Sequence, residues 1–430
     1  MKKQVALTMV VLSAVIAANQ EVQAKDLGDI LKEKGVISEA DLKEVAKNKS
    51  SDYKQGKGFT FTSADEKFQL QLGTALQVQY ELDDYENPAT QDVSLFKLRR
   101  VKTLLGGYAF TKDLTYNISY NWTNLASSPN KAIETANVKY RLMDEAQIMV
   151  GQEKVQFARQ WITSFASQQF VDGSFVRNAF HMGWDAGVNL HGDIMKGIIK
   201  YDAGIFSGAG QNLTNKTNDN AYNFRLSVDP LGNMKYGEGD LENSAKPQFS
   251  VGSSYYMNTV KTLKATTYTD TAATTTYASV DNNNSSFAGS TGWLGMAVKN
   301  KAFSTTAVED VKVESFEADL AFKWLGASLQ SEYFWGHGEG QVSNKKVIAV
   351  GAYVQAGYFV IPQRLEVAMR YAWLDPNRYA KNDMLSEAQG GVNYFFSGHN
   401  MKLQADVTNR HTYKSQEDDW IYRAQMQILF

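Results

Sequence analysis

The sequence predicts an all-β protein, a transmembrane antiparallel β-barrel, and three observations predict it. From Phe59 onward apolar and polar residues alternate with a period of two, aromatic residues gather at the ends of the alternating segments, and Met1–Ala24 has the three parts of an export signal. The alternation is plain in Ile421–Phe430. Tyr422, Ala424, Met426, Ile428 and Phe430 share one face there, and Arg423, Gln425 and Gln427 share the other. A strand that is apolar on one side and strongly polar on the other suits a sheet between lipid and water.

Composition agrees with that class and removes others. The chain has 430 residues, 43% hydrophobic and 12% aromatic, so it is not low enough in apolar content to be disordered. Mean hydropathy is nevertheless −0.38, and beyond the first residues no apolar run is long enough for a membrane helix. Barrel strands escape that test because their two faces average out. The absence of cysteine suits passage through an oxidising periplasm and removes thiolate metal sites, c-type haem attachment and a cysteine nucleophile. Formal net charge is −2, with 44 basic and 46 acidic residues. Without Lys2, Lys3 and Glu21 of the leader, 42 basic and 45 acidic residues leave −3. Nothing in that balance suits nucleic acid. There is no Gly-x-Ser-x-Gly elbow, Walker loop or His-Glu-x-x-His, and His181, His191, His337, His399 and His411 lack ligand spacing. No catalysis, metal or cofactor is expected, although a lipid-facing Ser–His pair stays open from sequence alone.

Taken in order, Met1–Ala24 is a signal peptide: Lys2 and Lys3, an apolar run from Val5 to Ala18, and Val22-Gln23-Ala24 for cleavage. Residues 25–56 carry Leu27, Ile30, Leu31, Val36, Ile37, Leu42 and Val45 at roughly helical spacing, with Ser38–Asp41 as a capping box. This segment reads as a short periplasmic helix pair, either a flexible leader or an oligomerisation or plug element, ending in a polar linker over Ser50–Gly58. Residues 57–430 form the barrel domain. Strands are expected over Phe68–Leu82, Leu114–Trp122, Ala136–Leu142, Tyr222–Val228, Phe316–Trp324, Leu365–Trp373 and Met401–Val407, among others. Gln69, Gln71, Gln77 and Gln79 on one face of the first of these would be costly in a dry core, so that face is wet. Counting such segments gives roughly 16 to 18 strands, and the even-number rule for bacterial barrels keeps both values open. Joins at Phe110–Leu114, Met143–Glu145 and Trp324–Ala327 are tight, whereas 207–220 and the Thr/Asn-rich 259–290 are long, so turns belong at one rim and loops at the other. A soluble sandwich would alternate too; the leader, the aromatic strand ends and Phe430 favour the membrane.

One stretch breaks the alternation. Between Ala146–Val150 and Ala186–Leu190 lies a long segment with its own aromatics, and in a barrel it can fold into the lumen or lie outside as a surface loop. Folded inward, it would narrow the pore and bring Lys154, Arg159 and Arg177 toward a passing solute. The run Gly151-Gln-Glu-Lys-Val-Gln-Phe157, with Thr163-Ser164, Gln169–Ser174 and Asn178-Ala-Phe180, resembles the hallmark region of the phosphate-selective porin O and P family. So do Phe96–Arg100, Gly187–Gly192, Gln355–Phe359, Gly391–Tyr394 and His399–Gln404, in order from about residue 57 to 430. The resemblance implies a 16-stranded trimeric outer-membrane channel of Gram-negative bacteria, with an inward constriction loop and lumen arginines and lysines that guide phosphate-like anions. Where the family commonly carries an acidic residue, then Arg, then Ser, this chain has Asp172-Gly173-Ser174, so a basic group is missing there.

The physics of such a protein is the bore and field of its pore. Parity puts Lys139, Arg141, Arg225, Lys323, Arg370, Lys402 and Arg423 in the lumen, facing Glu81, Glu317, Asp319, Glu366 and Asp406. Lys97 and Arg99 share one face and Arg100 and Lys102 the other, which a β-bulge would reconcile. The candidate anion-binding residues are therefore Lys97, Arg99, Arg100, Lys102, Lys139, Arg141, Lys154, Arg159, Arg177, Arg225 and Arg370. Each wall charge can equally be half of a salt bridge that stiffens the barrel. The expected function is passive diffusion of small hydrophilic solutes with a preference for anions such as phosphate. An unselective structural barrel or scaffold for a partner protein is the alternative. Expected partners are membrane lipid and lipopolysaccharide, small anions, two further copies in a homotrimer, and the outer-membrane assembly machinery acting on Phe430.

Overall fold

Alternation of this kind becomes a closed sheet. The computed structural model describes residues 34–36, 38, 51–56, 58–270, 273–280, 286–289, 291–299 and 309–430. The export signal and nearly all of the expected helical segment lie outside the described residues. Two short strands, β1 (Ser51–Lys54) and β2 (Gly58–Thr62), precede β3 (Phe68–Asp84), β4 (Val93–Ala109), β5 (Thr111–Asn121), β6 (Ile133–Met143), β7 (Ala146–Lys154), β8 (Trp184–Ile194), β9 (Ile199–Phe206) and β10 (Ala221–Val228). Then come β11 (Gln248–Asp270), β12 (Ala273–Val280), β13 (Asp310–Trp324), β14 (Ala327–Gly340), β15 (Lys346–Ile361), β16 (Leu365–Asp375), β17 (Leu385–Ser397), β18 (Met401–Thr412) and β19 (Glu417–Leu429). Each barrel strand pairs antiparallel with the next, and β19 returns to β3 from Trp420↔Asp84 to Leu429↔Ala75. Leaving β1, β2 and β12 out of the nineteen gives a ring of sixteen, the lower of the two expected counts.

Burial is inside out, as a barrel in lipid requires. Gln77, Gln427, Glu317 and Lys402 are fully buried, whereas Val150, Val188, Tyr371 and Met369 are exposed. Among the described residues no helix is long and apolar enough to cross a membrane. The crossing surface is this outward band of side chains.

Three local features depart from the simple pattern. Residues 51–54, read as linker, are extended and pair with β2 from Ser51↔Phe61 to Lys54↔Gly58. The Thr-rich stretch from Thr259 is not all loop: β11 continues to Asp270 and forms a hairpin with β12 beyond its pairing with β13, as β-branched residues favour. The rim of short turns also has an exception. Leu325 and Gly326, both at positive φ, make a two-residue hairpin turn there. The connection from β10 to β11, residues 229–247, lies on that same rim and is long. It carries Pro230 and Pro247, with polar and charged residues interspersed around Gly232, Gly237 and Gly239, and it folds inward until Glu238 and Asp240 are buried. Its Ser244 carbonyl accepts from Leu325 N at 3.0 Å, which ties it to the turn.

Candidate functional site

The segment after β7 enters the lumen, with two short helices, α1 (Arg159–Ile162) and α2 (Phe175–Phe180). A loop inside a barrel must find partners for its backbone, and the opposite wall supplies them. Lys402 Nζ donates to Gln168 O (2.9 Å), Gln427 Nε2 to Ala166 O (3.2 Å), Val171 N to Asp406 Oδ2 (2.9 Å) and Gln160 N to Glu332 Oε1 (2.6 Å). From the turn rim, Glu238 accepts from Gln160 Nε2 (2.8 Å) and Gln169 N (2.7 Å). A third inward element, α3 (Trp293–Lys299), packs Trp293, Leu294, Ala297 and Val298 against Phe180, Phe287 and Phe334. The lumen is thus narrowed by an apolar cluster on one side and a polar loop across the middle.

At the loop's centre is Asp172, ringed by guanidinium groups. The bulge that sequence parity required is present: Gln77 pairs with Arg100 and Val78 with Leu98, so Arg99 is the extra residue. That irregularity turns Lys97, Arg99, Arg100 and Lys102 all toward the interior. Arg99 donates to Asp172 Oδ1 from Nη2 (2.9 Å) and Nε (3.2 Å), and Arg100 Nη2 lies 4.0 Å from the same oxygen. Arg370 donates to the Asp172 carbonyl at 3.0 Å and lies over the Phe170 ring. Arg423 completes the group, donating to Glu81 Oε2 at 2.9 Å and standing 3.8 Å from Asp406. Burial alone would raise the Asp172 carboxyl, but Arg99, Arg100 and Arg423 around it hold it well below the usual carboxylate range.

Arg177 differs from these. It is 6% exposed, lies over the Trp161 ring, has an unpartnered Nε, and has no carboxylate within 4 Å among the described residues. A Cβ at Gly173 would fall 1.7 Å from Arg177 Nη2. The guanidinium therefore fills the space that a side chain at position 173 would take. A basic group thus stands beside position 173 although the residue there is glycine.

The remaining candidates are distributed. Lys97 pairs with Glu81 at 2.6 Å, and Lys102 pairs with Glu134 under the Phe165 ring. Lys154 donates to Trp161 O (2.8 Å) and lies over that ring, which anchors the loop's start. Arg225 is committed to Glu317 (3.0 Å) and Asp319 (2.6 Å), and Arg159 to Ser250 (2.8 Å) and Asp319 (3.5 Å). Lys139 lines a cavity between the β6–β10 wall and Gln156 and Ile162 of the constriction loop, away from Asp172. Arg141 is not brought to any of them: it sits exposed at the turn rim, paired with Asp113 and Asp144. The lumen consequently has one wall rich in guanidinium and another, β13 and β14, where Glu317, Asp319 and Glu332 gather. Sequence reasoning left out Asp172, Arg423 and Glu238 as site residues. Asp172 and Arg423 were visible as charges, but what they face depends on the loop's path.

Residues 68–430 match the family described as phosphate-selective porin O and P. The chain belongs to that family. As a porin of this family it is a channel-forming barrel of the Gram-negative outer membrane, and the sixteen strands, inverted burial and in-folded loop are how the family's fold is realised here. An uncharacterised protein of Aquifex aeolicus strain VF5 is 22% identical over 443 residues, covering 93% of each chain. Among solved structures the porin is similar to the outer-membrane channel DcaP of Acinetobacter baumannii, with TM-score 0.54 and 12% identity over 86% of this chain and 99% of that one. It is also similar to an anion-selective porin from Comamonas acidovorans, with TM-score 0.53 and 9% identity over 84% and 99%. At such identities the likeness is one of fold.

Proposed function

We propose that the porin lets small hydrophilic solutes diffuse passively across the outer membrane with a preference for anions, phosphate among them. The observation that carries this reading is the clustering of guanidinium groups around Asp172 at the centre of the constriction loop. Arg99, Arg100, Arg177 and Arg370 stand there with Asp172 as the loop's own counter-charge, and Arg177 has none of its own among the described residues. A guanidinium binds an oxyanion through two parallel hydrogen bonds, and in a narrow, partly dry passage that attraction is stronger than in bulk water. Lys154, half-buried at the start of the loop, adds to the positive side of the field, whereas Lys102 is balanced by Glu134. The family match and the fold of the Comamonas porin support the reading without deciding the permeant. Assembly as a homotrimer and engagement of Phe430 by the assembly machinery belong to the same proposal, on the family's precedent. Single-channel recording in a salt gradient tests it. A reversal potential on the anion side, with chloride current reduced by added phosphate, is expected; cation preference would sink the anion reading, and no phosphate effect would remove phosphate from it.

A further inference from the structure

The wall made by β6 to β10 holds a second set of charges that the constriction loop does not use. A cavity of about 240 Å³ opens there, and Lys139, Glu153, Asn189 and Asp202 all line it. Asn189 is 1% exposed, and its single Nδ2 donates to both carboxylates, to Glu153 Oε1 at 2.7 Å and to Asp202 Oδ2 at 2.6 Å. One amide thus holds two carboxyl groups side by side. Neither has a cationic group within 4 Å among the described residues, and Lys139 has no carboxylate within that distance. The other cations of the cavity are committed elsewhere, Arg225 to Glu317 and Asp319 and Lys200 to Asp229. Asn189 Oδ1 is buried and without a partner.

Charges held partly or wholly out of water are stable when paired, and here half-buried Lys139 and Glu153 and buried Asp202 line one cavity without an ion pair between them. We propose that this cavity binds a small zwitterion of the α-amino acid type. Its ammonium group has three hydrogens, and Glu153, Asp202 and Asn189 Oδ1 offer three acceptors; its carboxylate meets the Lys139 ammonium. The site is independent of the guanidinium cluster and does not need the anion reading to be right. A solute carrying both charges replaces both missing partners, whereas a simple anion or a simple cation replaces one.

Equilibrium dialysis of the purified full-length protein in detergent against radiolabelled alanine tests this. Saturable binding is expected, weakened by roughly tenfold or more in E153Q/D202N and separately in K139Q, since losing one charged partner is worth about that factor. Methylammonium and acetate should each compete about tenfold less well than alanine. The amide substitutions keep an acceptor for Asn189, and heat-modifiable gel migration checks that each variant still forms the barrel. Absence of saturable binding would overturn the proposal. So would unchanged affinity in E153Q/D202N, the result if protons already neutralise both carboxyls. Methylammonium binding as well as alanine would make this a plain cation site and would overturn it too.

Discussion

Asp172 and Gly173 show how two adjacent residues set a local field. Gly173 is not at a positive φ, so alanine is tolerated by the backbone there, but its Cβ would lie 1.7 Å from the Arg177 guanidinium. Because the clash is with the far end of a flexible side chain, Gly173→Ala should shift stability by no more than about 0.5 kcal/mol while moving that guanidinium. The anion-to-cation permeability ratio from reversal potentials should fall, and fall further in Arg177→Met; equal ratios in all three proteins would remove Arg177 from the selective field. Asp172 acts in the opposite sense. Asp172→Asn should raise the ratio and cost about 1–2 kcal/mol, the loss of charge-assisted hydrogen bonds discounted for the part-exposed Arg99. The sign of its pH dependence follows from a folded pKa that is depressed despite burial, because Arg99 and Arg100 outweigh it. The stability it contributes is present above its unfolded pKa of about 4 and is lost only as pH falls through the lower folded value. The difference in ratio between wild type and Asp172→Asn should therefore be the same at pH 7 and pH 4. A difference that shrinks by pH 4 would mean Asp172 takes up its proton in the ordinary range.

At the scale of elements, the strands were legible because a period of two survives any detail of packing. Even the bulge at Arg99 could be read, since Lys97 and Lys102 cannot share a face with regular alternation. What could not be read was the path of polar connections. Residues 229–247 look like a surface loop by composition, and their inward course depends on partners far away in sequence: Glu238 reaches Gln160 and Gln169, and Asp240 accepts from Gly326 N at 2.8 Å. α3 was hidden for a related reason, because Trp293–Val298 follows a Thr/Asn-rich stretch and its apolar face meets Phe180 of the constriction loop only in three dimensions. This arrangement makes the connection on the turn rim a brace for the constriction loop. Glu238→Ala leaves the Gln169 backbone amide without an acceptor and the Gln160 side-chain amide with only Gln355 Oε1, at a local cost of about 1–3 kcal/mol. Hydrogen exchange should then speed up over Gln160–Gln169, with single-channel current becoming noisier. Exchange that stays confined to residues 229–247 would show that the connection does not brace the loop.

For the whole molecule, closure of the sheet decides where charge can act. The outward band is apolar and the net charge is −2, so the chain's total field does not favour anions. Selectivity must come from groups close to the solute, and those groups are unevenly placed: guanidinium around Asp172, carboxylate on β13 and β14. The two possibilities respond differently to salt. The Debye length is about 10 Å at 0.1 M and about 3 Å at 1 M, so a field summed over the barrel is largely screened at the higher concentration, whereas contact with a partly buried guanidinium is not. The anion-to-cation ratio should therefore persist at 1 M salt in wild type. In Arg177→Met it should drop at both concentrations by a similar factor, because what is removed is a contact. Reversal potentials at 0.1 M and 1 M make the comparison. An anion preference confined to 0.1 M would place its source in the long-range field and separate it from the constriction loop, leaving the guanidinium ring around Asp172 as a structural brace.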